Sequence, residues 1–309
     1  MKRAFILNDT VKENHHGCKL VMNNLILNLN SIGYEVVGTL SIGKLWWRSK
    51  TFMSYLPKID LIIINGEGSI HHGRKIGIDL LSVVKSERNP HTKIALINTT
   101  YDSNPGNFRE FLNEIDLISV REGESKKQLD EIGIESMVVP DLTFASEIPD
   151  IDRSGDRNNT EMVIGFTDST FISDTEYLQD TFKQFHNFRF LPAVYNPYDG
   201  NLFGDFYYMR DLLSKSDMLY INKAAIKLGR FINNRKYFTN SYDEYFEKIS
   251  KLDVLVAARY HSLCFAIRSL TPFVAIKSNS HKIEGMLNDI GVMENRLFSI
   301  DDIKDIDFD

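Results

Sequence analysis

Four groups of polar residues in this 309-residue chain each follow a short apolar run, and their types are those that handle anions and protons. The first is Asn8-Asp9-Thr10 with Asn14-His15-His16-Gly17-Cys18. A glycine just before a helix lets backbone approach a ligand, the helix start favours an anion, and adjacent histidines bind a substrate or move protons. The second, residues 64–73 (INGEGSIHHG), joins Asn65, Gly66, Glu67 and Gly68 to His71 and His72. There Glu67 can act as a base or grip hydroxyls. Its glycine spacing is neither a dinucleotide fingerprint nor a Walker loop. The third places Arg121 at the end of an apolar run, with Ser125 in the helix start that follows and Pro140-Asp141 further on. The fourth, residues 255–267 (LVAARYHSLCFAI), gives Arg259 as a forked cation, His261 as a proton carrier and Ser262 as a donor. Beyond it, Ser278 and Lys282 open another helix start, where Lys282 reads equally as a second anion contact or as a solvated helix residue. No metal is expected, because adjacent histidines rarely share an ion and no carboxylate or cysteine completes a familiar spacing.

Positioning such groups takes strands that end where helices begin. Residues 4–7, 35–39, 61–64, 94–97, 117–120 and 137–139 read as buried strands, and 19–32, 76–86, 108–114 and 124–132 as helices between them. After a polar stretch over 146–161 the alternation resumes. Strands are expected at 162–166, 188–191, 254–257 and 273–276, and helices at 175–185, 205–214, 242–250, 260–269 and 282–290. This alternation predicts an α/β fold with parallel sheets covered on both faces. The polar stretch divides the chain into residues 1–150 and 151–309, two α/β halves facing across a cleft. Ligands of such sheets bind at the carboxyl ends of the strands, where all four groups fall.

Composition narrows the partners. With 36 Lys plus Arg against 42 Asp plus Glu the net charge is −6, which argues against a nucleic-acid partner but not against a local pocket for a small anion. Two cysteines, Cys18 and Cys264, make no disulfide framework and fit a reducing cytoplasm. The basic start is followed by too short an apolar run for a signal peptide, and no window is long enough to span a membrane. A soluble protein is expected, peripheral contact with the inner face of a membrane being compatible with it; the oligomeric state is open.

In this order the landmarks resemble the polysaccharide pyruvyl transferase family. The matching positions are Gly17, Gly66 to Gly68, Arg121 with Ser125, Asp141, Arg259 with His261, and Lys282 with Gly291, over roughly residues 5–291. The resemblance implies two facing Rossmann-like domains, GT-B-like, with a central cleft. It implies a transferase of bacterial surface-glycan biosynthesis (capsule or lipopolysaccharide) that places pyruvate from phosphoenolpyruvate on a sugar as a ketal. Arg121, Arg259, Ser262, Lys282 and Ser278 would hold the donor, with His261 and Glu67 as acid and base. His15, His16, Gly17, Asn65, His71 and His72 would face a sugar or glycan-lipid acceptor. Phosphoenolpyruvate would be a co-substrate, with no separate cofactor, since arginines can neutralise its phosphate. Several loops depart from the family pattern: Cys18 follows Gly17 where Asp is usual, Glu67 interrupts the glycines, and Glu122 follows Arg121 in place of Asp. These departures leave a GT-B glycosyltransferase using a CMP-linked ulosonic acid, and a non-catalytic sugar- or anion-binding protein, open beside pyruvyl transfer.

Overall fold

A computed structural model describes residues 1–13, 15–149, 162–167, 188–191, 193, 239, 241–299, 302–303 and 306. The helices expected at 175–185 and 205–214, and most of the 146–161 stretch, lie outside the described residues. The chain forms two compact units. One comprises Met1–Lys12, Lys19–Ser146 and Ser280–Gly291; the other comprises Glu13–Cys18, Glu147–Asn279 and Val292–Asp309. A division at residue 150 leaves out the two short exchanged segments, which no local composition marks.

The first unit holds six parallel strands: β1 (Lys2–Asp9), β2 (Tyr34–Ser41), β3 (Leu61–Glu67), β4 (Lys93–Thr99), β5 (Leu117–Val120) and β6 (Met137–Val138). Their order is β2-β1-β3-β4-β5-β6. The central strands carry unbroken apolar runs, Ala4 to Leu7 in β1, Leu61 to Ile64 in β3 and Ile94 to Ile97 in β4, because both faces are covered. Phe5, Leu7, Ile62 and Ile64 point to one core, while Ala4, Ile6 and Ile63 point to the other. Helix α1 (His16–Ser31) covers the second face with Met22, Leu25 and Leu29. The first face is covered by α2 (Lys50–Tyr55), α3 (Lys75–Leu81), α4 (Phe108–Leu112) and α5 (Gly123–Glu131), through residues such as Phe52, Leu80, Phe108 and Leu129.

The second unit's described strands are β7 (Ile164–Thr167), β8 (Phe188–Phe190), β9 (Val254–Ala257), β10 (Phe273–Ile276) and β11 (Leu297–Phe298). All pairs are parallel and the order is β8-β7-β9-β10-β11. Counted from its own first strand, this sheet repeats the order of the first. Helices α6 (Tyr242–Ser250), α7 (Tyr260–Arg268) and α9 (Met293–Arg296) belong to it, whereas α8 (Lys282–Asp289) is part of the first unit. The expected α/β class with two Rossmann-like units is the one found. Among the described residues no helix is long and apolar enough to cross a membrane.

The periodicity missed α2 and its flanking turns at Trp46–Arg48 and Leu56–Lys58. Six residues are too few to display a 3.6-residue repeat, and Pro57 stops the run. The Ser49 hydroxyl starts α2 by accepting from the Phe52 amide at 3.2 Å. The Phe52 ring then meets Phe5 edge-on at 5.0 Å with no exposed surface. Phe52→Ala should therefore cost about 3–5 kcal/mol, read as a lowered urea midpoint at unchanged slope.

Candidate functional site

In the first unit the chain leaves β1 for one face and β3 for the other, so the two neighbours form a topological switch point, the usual ligand position in an open α/β sheet. The ends of β1, β3 and β4 each carry a non-glycine residue in the left-handed region: Asn8 at φ 66°, Glu67 at 38° and Asn98 at 54°. Asparagine tolerates that region, whereas glutamate enters it at a cost that surrounding bonds must offset. Those bonds are present. Glu67 Oε1 accepts from Thr10 Oγ1 at 2.6 Å and from Asn65 Nδ2 at 2.9 Å. Asn8 Nδ2 donates to the Asn65 carbonyl at 2.6 Å and to Ser69 Oγ at 3.0 Å. The expected pair Asn65 and Glu67 is thus brought together, and Asn8 and Thr10 complete the network. Gly66 clears room for Thr99, which any Cβ there would overlap.

His71 and His72 meet Nδ1 to Nδ1 at 2.7 Å, and Arg74 lies 3.3 Å from His71 Nε2. Burial, with Arg74 and Lys282 adding positive charge, pulls the pKa of His71 down to about 4. At neutral pH it is therefore an uncharged ring that can donate or accept, as its bond to His72 requires.

Arg121 is not placed as expected. Its side chain is 2% exposed, and its guanidinium donates to Asp141, itself 0% exposed, at 2.9 Å and to Thr100 Oγ1 at 2.8 Å. A buried arginine matched to an internal carboxylate organises the strand ends. Beside it, His281 at the start of α8 approaches Asp102 at 3.3 Å, Glu122 at 3.4 Å and Ser125 Oγ at 3.1 Å. Ser125 Oγ donates to Glu122 Oε1 at 2.5 Å and accepts from the Tyr101 amide at 2.8 Å, so this hydroxyl is a joint and not a nucleophile. Burial opposes charge on His281, but Glu122, through its hydrogen bond and charge, and Asp102 outweigh it and raise the pKa.

The second unit gathers a different set. At the end of β9 the Ala258 amide donates to Thr167 Oγ1 of β7 at 3.1 Å, and Arg259 then precedes α7. Segment Glu13–Cys18 lies in this unit with it. Gly17 abuts the His261 ring so closely that a methyl group would overlap it. The close approach that glycine permits is to this histidine. Half-buried His15 is brought to a pKa of about 3 by burial and by the charges of Arg259 and His261. His16 is placed otherwise than expected. Fully buried, it stacks on Tyr245 at 4.4 Å and meets Thr239 Oγ1 at 2.6 Å, while Tyr245 OH meets Ser262 Oγ at 2.8 Å. His16 and Ser262 are thus both buried, each in contact with Tyr245. His15, Gly17, Arg259 and His261 converge here. Half-buried Ser278 belongs to this unit, and half-buried Lys282 belongs to the first unit near His71. Asn8 and Thr10 belong to the first polar group, where their types alone assign them no role, and Asp102 lies outside all four groups.

Removing one partner of the Arg121–Asp141 pair strands a buried charge, so Arg121→Ala should lose about 3–5 kcal/mol by denaturant titration. The Arg121→Met/Asp141→Leu double variant should lose clearly less. His281 has the opposite pH sign from His71. Because its folded pKa is raised above 6.5, its contribution is full below that pH and is lost as pH rises through the folded value. The stability gap between wild type and His281→Gln should thus narrow from mildly acidic to alkaline buffer. His71, depressed from 6.5 to about 4, weakens the fold as pH falls through that window.

Solved structures with a related fold span both units. A protein of uncharacterised function from Klebsiella pneumoniae aligns over 97% of this chain and 93% of its own, at 12% identity and a TM-score of 0.50. A proposed UDP-N-acetylglucosamine 2-epimerase from Listeria monocytogenes aligns over 93% and 82%, at 8% identity and a TM-score of 0.53. At such identities the likeness is one of fold alone, and it fits the GT-B-like class. No curated protein matches the sequence. A family model does: polysaccharide pyruvyl transferase, over residues 16–280, from the first turn of α1 to the edge of α8. With its landmark glycine, arginines and histidine inside that span, the chain belongs to the polysaccharide pyruvyl transferase family.

Proposed function

We propose that this transferase moves pyruvate from phosphoenolpyruvate onto two hydroxyls of a sugar in bacterial surface-glycan assembly. The observation that carries the reading is the cluster of Arg259, His261 and His15 after β9, at the start of α7. An arginine, two imidazoles and a helix start suit a small ligand bearing both a carboxylate and a phosphate. His15 resists protonation there because it is buried and, second to that, because of the charges of Arg259 and His261; a bound anion would offset the second cause.

In the reaction, C3 of the enol takes a proton while one sugar hydroxyl adds to C2 and gives up its own. The second hydroxyl then displaces phosphate from C2 and closes the ketal. Two carbon–oxygen bonds to the sugar form and one to phosphate breaks. Of the two hydroxyl protons, one ends on C3 in net terms and one on the released phosphate. His261 is assigned proton delivery and Arg259 the leaving phosphate, a charge that grows as the bond breaks. Glu67 is assigned the hydroxyl proton, its carboxylate oriented by Thr10 and Asn65.

Phosphoenolpyruvate should raise the melting temperature of the full chain and shift the His15 NMR titration upward from about 3. Phosphate release with a glycan acceptor should fall about a hundredfold or more in His261→Ala and in Arg259→Ala. Stabilisation by CMP but not by phosphoenolpyruvate would reject pyruvyl transfer in favour of a nucleotide-sugar donor. Normal turnover in either variant would remove that residue from the site.

A further inference from the structure

Between Glu35 and Asp60 the chain carries no acidic residue and four basic ones, Lys44, Arg48, Lys50 and Lys58, within a protein of net charge −6. The stretch follows β2 and forms α2 with its flanking turns. Its inward side is well fixed: Phe52, Leu56 and Ile59 are buried, and Trp46 Nε1 donates to Ser82 Oγ at 2.9 Å and to the Asp79 carbonyl at 3.1 Å. Its outward side is unusual. Trp47 is 41% exposed and Met53 43% exposed, and all four cations are exposed. Lys50 and Met53, three apart on α2, share one helix face. Among the described residues none of the four cations has a carboxylate within ion-pair distance. The carboxylate of Asp79, on the neighbouring helix, is paired with Lys75 at 2.8 Å.

We infer that the stretch from Lys44 to Lys58 is a docking surface for an anionic lipid bilayer. Protein interfaces are depleted in lysine, whereas membrane–water interfaces favour lysine and arginine beside an exposed tryptophan. The headgroup layer of an anionic leaflet supplies the negative charge that the protein withholds from this face, and the indole of Trp47 and thioether of Met53 reach the acyl boundary. A polynucleotide would meet the same four cations on a chain whose other residues sum to a larger negative charge, so it is the weaker fit. The inference does not depend on which donor the enzyme uses.

The chain's tryptophans are Trp46 and Trp47, which makes the test specific. The full-length protein is floated with phosphatidylcholine vesicles, alone or mixed with phosphatidylglycerol at about one part in three. Flotation is expected only with the anionic vesicles and should be reversed by high salt. Lys44→Gln/Arg48→Gln/Lys50→Gln, with its melting temperature unchanged, should weaken binding about a hundredfold. Brominated phosphatidylglycerol should quench fluorescence in wild type and far less in Trp47→Phe, where only Trp46 remains. No flotation on anionic vesicles, equal binding by the triple variant, or undiminished quenching in Trp47→Phe would each overturn the proposal. So would an oligonucleotide gel shift lost in the triple variant while vesicles go unbound.

Discussion

The carboxyl edge of the first sheet hangs on one buried ion pair. Arg121 leaves the end of β5 and Asp141 follows β6, and away from water each is tolerable only because the other is there. From this pair the order spreads through directed bonds. The Arg121 guanidinium holds Thr100 after β4, and Asp141 accepts from the Thr143 amide to set the turn at Leu142–Ala145. Leu142 in turn donates to Asn98 Oδ1 at 3.0 Å and accepts from Asn24 of α1 at 2.7 Å. Asn98 reaches Asn65, and Asn65 orients Glu67. A charge pair thus positions, four bonds away, the carboxylate assigned to the acceptor.

Both sheets use one strand order, and each places its chemistry at its own switch point. In the first unit that point carries a carboxylate held by a hydroxyl and an amide donor; in the second it carries arginine and imidazole. The glycines serve this arrangement by close packing. Gly17 makes space for His261 and Gly66 for Thr99, so each fixes a chemically active loop to its neighbour.

Much of the scaffold was legible because buried parallel strands write themselves as short apolar runs. β5, β9, β10 and α6 begin and end where pattern and turn residues put them. What periodicity could not show were elements shorter than their own repeat, such as α2 and the two-residue β11. The site was legible as positions but less so as roles. Arg121 reads in sequence as a cation at a strand end, and nothing nearby reveals that Asp141, twenty residues on, will neutralise it. His16 and Ser262 look as available as His15 and His261, since one step along a helix start decides between interior and surface. His281 carries little signal in the sequence because its carboxylate partners, Asp102 and Glu122, are distant in the chain.

The exchange of Glu13–Cys18 and Ser280–Gly291 between the units bears on how such a protein can diversify. A single recombination event near residue 146 would join one parent's sheet to the other parent's His15 loop, and would dock a foreign α8 against Glu122 and Gly123. Gly285, which admits the Glu122 side chain, and Asp289, which accepts from the Gly123 amide at 2.8 Å, would then meet mismatched partners. Halves of this chain are not interchangeable cassettes.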